Sequence, residues 1–147
     1  MKQNIIIRLE NTLFNTNNIN NHLPKAKDKK QYINNSLPKC KLNNEVIEII
    51  DFINKVKSIK AINVIVVSQF ERDVVWKLLK NNNLAWVQLK KSIEIACKNV
   101  DNESSVLIST NEQDLQCAMQ NDIAYANELS FNAIGIRKTT PTHAKAA

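Results

Sequence analysis

The chain has 147 residues, a formal net charge of +6 and a sequence pI of about 9.3. That length suits one domain with a single sheet and its covering helices, and the charge permits a polyanionic partner without an arginine-rich stripe or aromatic-basic interleaving to specify one. No apolar run reaches the ~18 residues of a membrane span, and the N-terminus lacks the order of a signal peptide, so a cytoplasmic location with no membrane partner is expected, leaderless export being left open.

In chain order, Ile5, Ile6 and Ile7 predict a buried strand ending near Leu9, because a short β-branched run followed by a polar turn is too brief for a helix. Residues 15–44, rich in Asn and Lys and carrying Pro24 and Pro38, read as a polar loop insertion with a short turn near Tyr32. With few apolar groups to offset its ordering entropy, that loop is expected to be mobile. Val46, Ile49, Ile50, Ile53 and Val56 recur at helical spacing. Residues 62–68 predict a second buried strand, and 71–82 a helix with Val74, Val75, Leu78 and Leu79 inward. A short strand over "LAWVQL", a helix through Ile93, Ala96 and Val100, a buried strand at 105–109 and a helix through Leu115, Ala118 and Met119 follow. "IAYA" and "AIGIR" are candidates to close the sheet. Apolar strands alternating with helices predict a three-layer, Rossmann-like α/β fold: a mostly parallel sheet with helices on both faces. One domain is expected over 1–137, with 138–147 a disordered tail.

Cys40, Cys97 and Cys117 are odd in number and lack CxxC spacing, which speaks for a reducing compartment and against a disulfide framework or structural zinc. His22 and His143 lie too far apart to suggest a metal pair. In a parallel α/β sheet, chemistry gathers at the carboxyl ends of the strands. The residues predicted there are Arg8, Glu10, Asn11 and Thr12, then Ser68 and Gln69, then Lys90 and Lys91, then Thr110, Asn111 and Asp114.

This ordered set resembles the haloacid dehalogenase-like (HAD) phosphatase superfamily over residues 4 to about 126. The family's opening strand and Asp-x-Asp-x-Thr-Leu frame is matched by Arg8-Leu9-Glu10-Asn11-Thr12-Leu13. Its Ser or Thr after the next strand is matched by Ser68 in "VIVVSQF", and its Lys leading a helix by Lys90 or Lys91 in "LKKSIEIA". Its Gly-Asp with a second Asp four residues on falls at Ser109-Thr110 with Asp114. The pacing is similar to capless members such as the phosphatase halves of phage polynucleotide kinases, which implies no large cap domain.

The departures from that pattern set the functional expectation. The resemblance implies an aspartyl nucleophile where this chain has Arg8, which is not a nucleophile at ordinary pH. It implies a magnesium ligand at Arg8 and another at Thr110, leaving Asp114 as the single weak candidate, and a divalent ion wants several hard oxygens. Glu10 keeps the acidity of the general acid without a nucleophile to assist. The glycines expected beside the first and fourth motifs are absent, since Gly135 is the chain's one glycine. The expectation is a catalytically inactive pseudo-phosphatase with no cofactor, acting as a protein-binding, subunit or regulatory module. The alternatives are a residual phosphatase using magnesium, or a phosphate or nucleic-acid end-binding module.

Each residue also has a plain structural explanation. Ser68 with Glu71, and Thr110 with Gln113, fit helix capping boxes. Thr12 suits a bond within the turn after the first strand, and Lys90 and Lys91 a solvated helix start. Trp76, off the main apolar stripe of its helix, is the candidate partner-binding anchor, whereas Trp86 is expected in the core. Arg8 requires compensation if buried, and an internal salt bridge to Glu10 or Asp114 is favoured over capture of an anion with Lys90 or Lys91 and Ser68.

Overall fold

The computed structural model describes residues 3–57, 61–130 and 133. The expected strand over "AIGIR" and the tail from Lys138 lie outside them, Ala133 apart. The elements run β1 (Gln3–Arg8), α1 (Asn17–His22), α2 (Lys29–Ser36), α3 (Asn44–Val56), β2 (Ile62–Val67), α4 (Arg72–Asn81), β3 (Gln88–Lys90), α5 (Ile93–Lys98), β4 (Ser105–Ile108), α6 (Glu112–Gln120) and β5 (Ala124–Ala126). All strand pairs are parallel, in the order β3-β2-β1-β4-β5, so β1 occupies the centre of the sheet.

Side-chain alternation along the strands builds the three layers. Ile5, Ile7, Val64, Val66, Val106 and Ile108 face one way and join Val46, Ile49, Ile50 and Ile53 of α3 with Val74, Val75, Leu78 and Leu79 of α4. Ile6, Ile65, Val67 and Leu107 face the other and join Ile93 and Ala96 of α5 and Ala118 of α6. Both faces are covered, which is why the strands read as continuous apolar runs. Among the described residues no helix is long and apolar enough to cross a membrane.

The segment 15–44, expected to be a loop, instead carries the short helices α1 and α2 and two 3-10 turns. Its apolar residues are few but well placed: Ile19 and Leu37 are buried alongside Leu13 and Phe14, and Tyr32 and Ile33 pack against the same core. Asp28 caps α2 by accepting from the Gln31 amide at 3.0 Å. Pro24 and Pro38 sit at the start of short 3-10 turns, Leu23–Lys25 and Leu37–Lys39, where a missing amide proton costs nothing. Among the described residues no large cap stands between β1 and α3, only these short helices.

The two tryptophans differ from expectation in opposite directions. Trp86, expected in the core, is half-buried: its indole N–H donates to Asn54 Oδ1 at 2.7 Å, and the Lys57 ammonium lies 4.5 Å from the ring centroid. A polar indole edge is more cheaply satisfied at the rim than inside. Trp76, expected to be exposed, is also half-buried against the core, with Arg72 5.7 Å from its ring centroid.

Candidate functional site

Arg8 ends the central strand, and its side chain is buried at the carboxyl edge of the sheet, with the residue only 9% exposed. It meets Asp114, in the first turn of α6, through two parallel bonds: Nε to Oδ2 and Nη2 to Oδ1, both 2.8 Å. Planar guanidinium and carboxylate forks match in this geometry, the strongest form of the pair. Nη1 reaches Glu10 Oε1 at 3.3 Å. The favoured internal salt bridge is therefore present, and to both carboxylates. Burial works against the charge of Arg8, but the hydrogen bonds and charges of Asp114 and Glu10 outweigh it and raise its pKa above the ordinary arginine value.

The carboxylates are held from behind. Glu10 accepts a short hydrogen bond from the Ser68 hydroxyl through its other oxygen. Burial raises the Glu10 pKa, with Ser68 and Arg8 offsetting part of the effect. Ser109 Oγ, which the sequence frame placed at the family's glycine and gave no role, donates to Asp114 Oδ2 at 2.8 Å and accepts from the Asn111 amide at 3.0 Å. Its signal was available as the polar last residue of "SVLIS". The chain Ser68, Glu10, Arg8, Asp114, Ser109 thus ties together the ends of β2, β1 and β4.

The plain capping explanations of Ser68 and Thr110 are corrected. Ser68 is engaged by Glu10 and by the Phe70 amide, and α4 starts only after Glu71, which makes no side-chain cap bond. The cap of α6 is Asn111, accepting from the Gln113 amide at 2.8 Å. Thr110 pairs with Thr12 instead: their hydroxyls lie 3.2 Å apart and the Thr110 amide donates to Thr12 Oγ1 at 3.0 Å. Thr12 therefore links two loops rather than serving its own turn. That turn is held by Asn43, whose Nδ2 donates to the carbonyls of Asn11 and Thr12 at 3.1 and 2.9 Å. Asn11 has φ 61°, a left-handed conformation that asparagine tolerates where glycine would otherwise serve.

A cleft of about 370 Å³ opens here, lined by Arg8, Glu10, Asn11, Gln69, Thr110 and Asn111. Lys90, at the end of β3, and the exposed Lys91 do not line it, so the sequence-predicted cations are not brought to Arg8. The magnesium that the family resemblance implies does not fit these residues. Both oxygens of Asp114 are in the fork with Arg8, both oxygens of Glu10 are hydrogen-bonded, and a guanidinium fills the space between. Among the described residues no three of His, Cys, Asp and Glu come together in a metal-binding group.

No family model matches the chain, and no curated protein matches it either. Solved structures do. The HAD domain of the effector protein Lem4 from Legionella pneumophila, in an inactive mutant, superimposes with a TM-score of 0.63 at 10% identity, covering 99% of this chain and 98% of that one. A haloacid dehalogenase-like hydrolase from Streptococcus pneumoniae gives 0.60 at 11% identity over 88% and 85% of the two chains. A HAD-superfamily hydrolase from Ehrlichia chaffeensis gives 0.59 at 16% identity over 86% and 88%. Identities this low speak to architecture and not to activity. With its all-parallel five-stranded sheet, helices on both faces and polar residues gathered at the carboxyl ends of the central strands, the chain has the HAD-like fold.

Proposed function

We propose that this chain is a catalytically inactive HAD-like protein, a pseudo-phosphatase that works in the cytoplasm as a protein-binding, subunit or regulatory module. The observation that carries the reading is the Arg8 guanidinium clamped between Asp114 and Glu10 at the end of the central strand. A guanidinium stays protonated and offers no nucleophilic lone pair. With both carboxylates ionised the cluster has a net charge of −1, which repels a phosphate dianion instead of drawing it in.

A residual enzyme would need another nucleophile. Cys97 lies on the α5 face of the sheet and does not line the crevice, and burial, followed by the neighbouring Cys117 thiol and the Asp114 charge, pushes its pKa up to about 12. Cys40 is also raised by burial. Thiols in such settings are poor nucleophiles. Trp76 is the candidate anchor for a protein partner, since the half of it not packed on the core is an aromatic surface beside Arg72.

The test is hydrolysis of p-nitrophenyl phosphate with magnesium, together with affinity capture from the source cells. The expected result is no turnover above buffer, and a captured protein whose recovery falls with Trp76→Ala while the variant stays folded. Magnesium-dependent turnover abolished by Glu10→Gln or Asp114→Asn would overturn the reading.

A further inference from the structure

Residues 15–44 carry six lysines and one aspartate, a net +5 out of the chain's +6. The charge that looks modest over the whole molecule is therefore concentrated on the α1 and α2 segment, and the remainder is nearly neutral. The same segment encloses a cleft of about 590 Å³, lined among others by Asn18, His22, Tyr32, Asn35, Lys39 and Lys41. Tyr32 is half-buried, with its hydroxyl donating to the Asn18 carbonyl at 3.4 Å, while His22, Asn18, Asn35, Lys39 and Lys41 are exposed. Lys25, Lys27 and Lys29 are exposed on the adjoining turn and the start of α2. Lys30 is the lysine of this segment in an ion pair, 3.7 Å from Glu71.

We propose that this cleft is a binding site for single-stranded nucleic acid, separate from the crevice around Arg8. Three kinds of group meet there that a single strand uses together. Two rings, Tyr32 and His22, offer surfaces on which bases stack regardless of sequence. Side-chain amides carry both a donor and an acceptor for exposed base edges. Lysines in the cleft and beyond it extend the positive field past the reach of one nucleotide, as a phosphate backbone requires. An acidic protein segment would use the same lysines but has no need of the rings and amides. The inference does not depend on the crevice being inactive, and the hydrolysis assay does not bear on it.

Fluorescence anisotropy with a short labelled oligothymidylate tests it on the full chain. The expected result is saturable binding at about 50 mM salt that weakens roughly 50-fold by about 200 mM, as release of counterions from about four phosphate contacts requires. Replacing Lys39 and Lys41 together by Glu should weaken binding about tenfold or more, and Tyr32→Ala about five- to twentyfold, with Tyr32→Phe near wild type because the ring is retained. Lys55→Glu, half that change of charge and placed at the far end of α3, should alter it by no more than about twofold. Absence of saturable binding at low salt, or a loss with Lys55→Glu equal to that of the Lys39 and Lys41 variant, would overturn the proposal. So would competition by a polyglutamate peptide as effective as that by unlabelled oligonucleotide, which would make the partner an acidic protein. The salt and competition measurements use the unmodified chain and decide the matter even if a variant misfolds.

Discussion

The two ends of the sheet are both crossed by hydrogen-bonded polar side chains, but they are built differently. At the amino end, Gln88, Asn63, Asn4 and Ser105 form a neutral ladder across β3, β2, β1 and β4, with bonds of 3.1, 3.1 and 3.2 Å. At the carboxyl end, Ser68, Glu10, Arg8, Asp114 and Ser109 form a charged cluster centred on one guanidinium. In a neutral ladder each bond contributes separately, and a lost partner leaves one amide or hydroxyl short of a bond. In the charged cluster the terms are coupled, because removing the cation strands two carboxylates in a poorly solvated space. The amino end is therefore expected to tolerate change by degrees, and the carboxyl end to fail as a unit.

The largest expected effect is that of Arg8→Ala, about 3–5 kcal/mol of lost stability in urea denaturation. A sharper test combines Arg8→Met with Asp114→Leu and Glu10→Gln, since replacing the cation and both carboxylates by uncharged groups leaves no stranded charge. That triple variant should be close to wild type or more stable by about 1–4 kcal/mol. A triple variant as damaged as Arg8→Ala would mean that the cluster is not acting as a coupled unit. At the other end, Asn4→Ala should cost about 1–3 kcal/mol, because Asn4 is buried and bridges two strands, and Gln88→Ala, at the exposed end of the ladder, under about 0.5 kcal/mol. Asn111→Ala should cost about 1 kcal/mol through the lost cap of α6.

The pH dependence separates the ends as well, since only one of them titrates. Glu10 has its folded-state pKa raised, by burial first. The folded chain then holds the Glu10 proton to higher pH than the unfolded chain does, so this contribution to stability is present below the ordinary glutamate range and is lost as pH rises through the raised pKa. Measured across that window, Glu10→Gln should gain stability relative to wild type as pH increases. A gap that closes with rising pH would mean that Arg8 and Ser68 outweigh burial.

The central strands and their terminal residues were legible in the sequence because short apolar β-branched runs leave few alternatives: β2 and β4 fall within the predicted frames, and β1 contains Ile5, Ile6 and Ile7 and ends at Arg8, one residue before Leu9. Residues 15–44 were not, because α1 and α2 present no apolar periodicity: single residues such as Ile19 and Leu37 dock them on a core that only the assembled fold supplies. Arg8 was legible as a cation needing a carboxylate, but its sharing between Glu10 and Asp114 depends on the separation of two loops that are far apart in sequence. The capping signals at Ser68 and Thr110 misled for a related reason. Each hydroxyl has a tertiary partner, Glu10 and Thr12 respectively, in place of the local helix end.

Isothermal titration calorimetry of the wild-type chain with magnesium and with inorganic phosphate asks whether Arg8 shuts the crevice to both the metal and the phosphoryl group of the family's chemistry. No measurable binding of either is expected, because each oxygen of Asp114 and Glu10 is already hydrogen-bonded and the Arg8 guanidinium is held by both carboxylates. Tight magnesium binding, or sub-millimolar phosphate binding that disappears in Arg8→Ala, would contradict it.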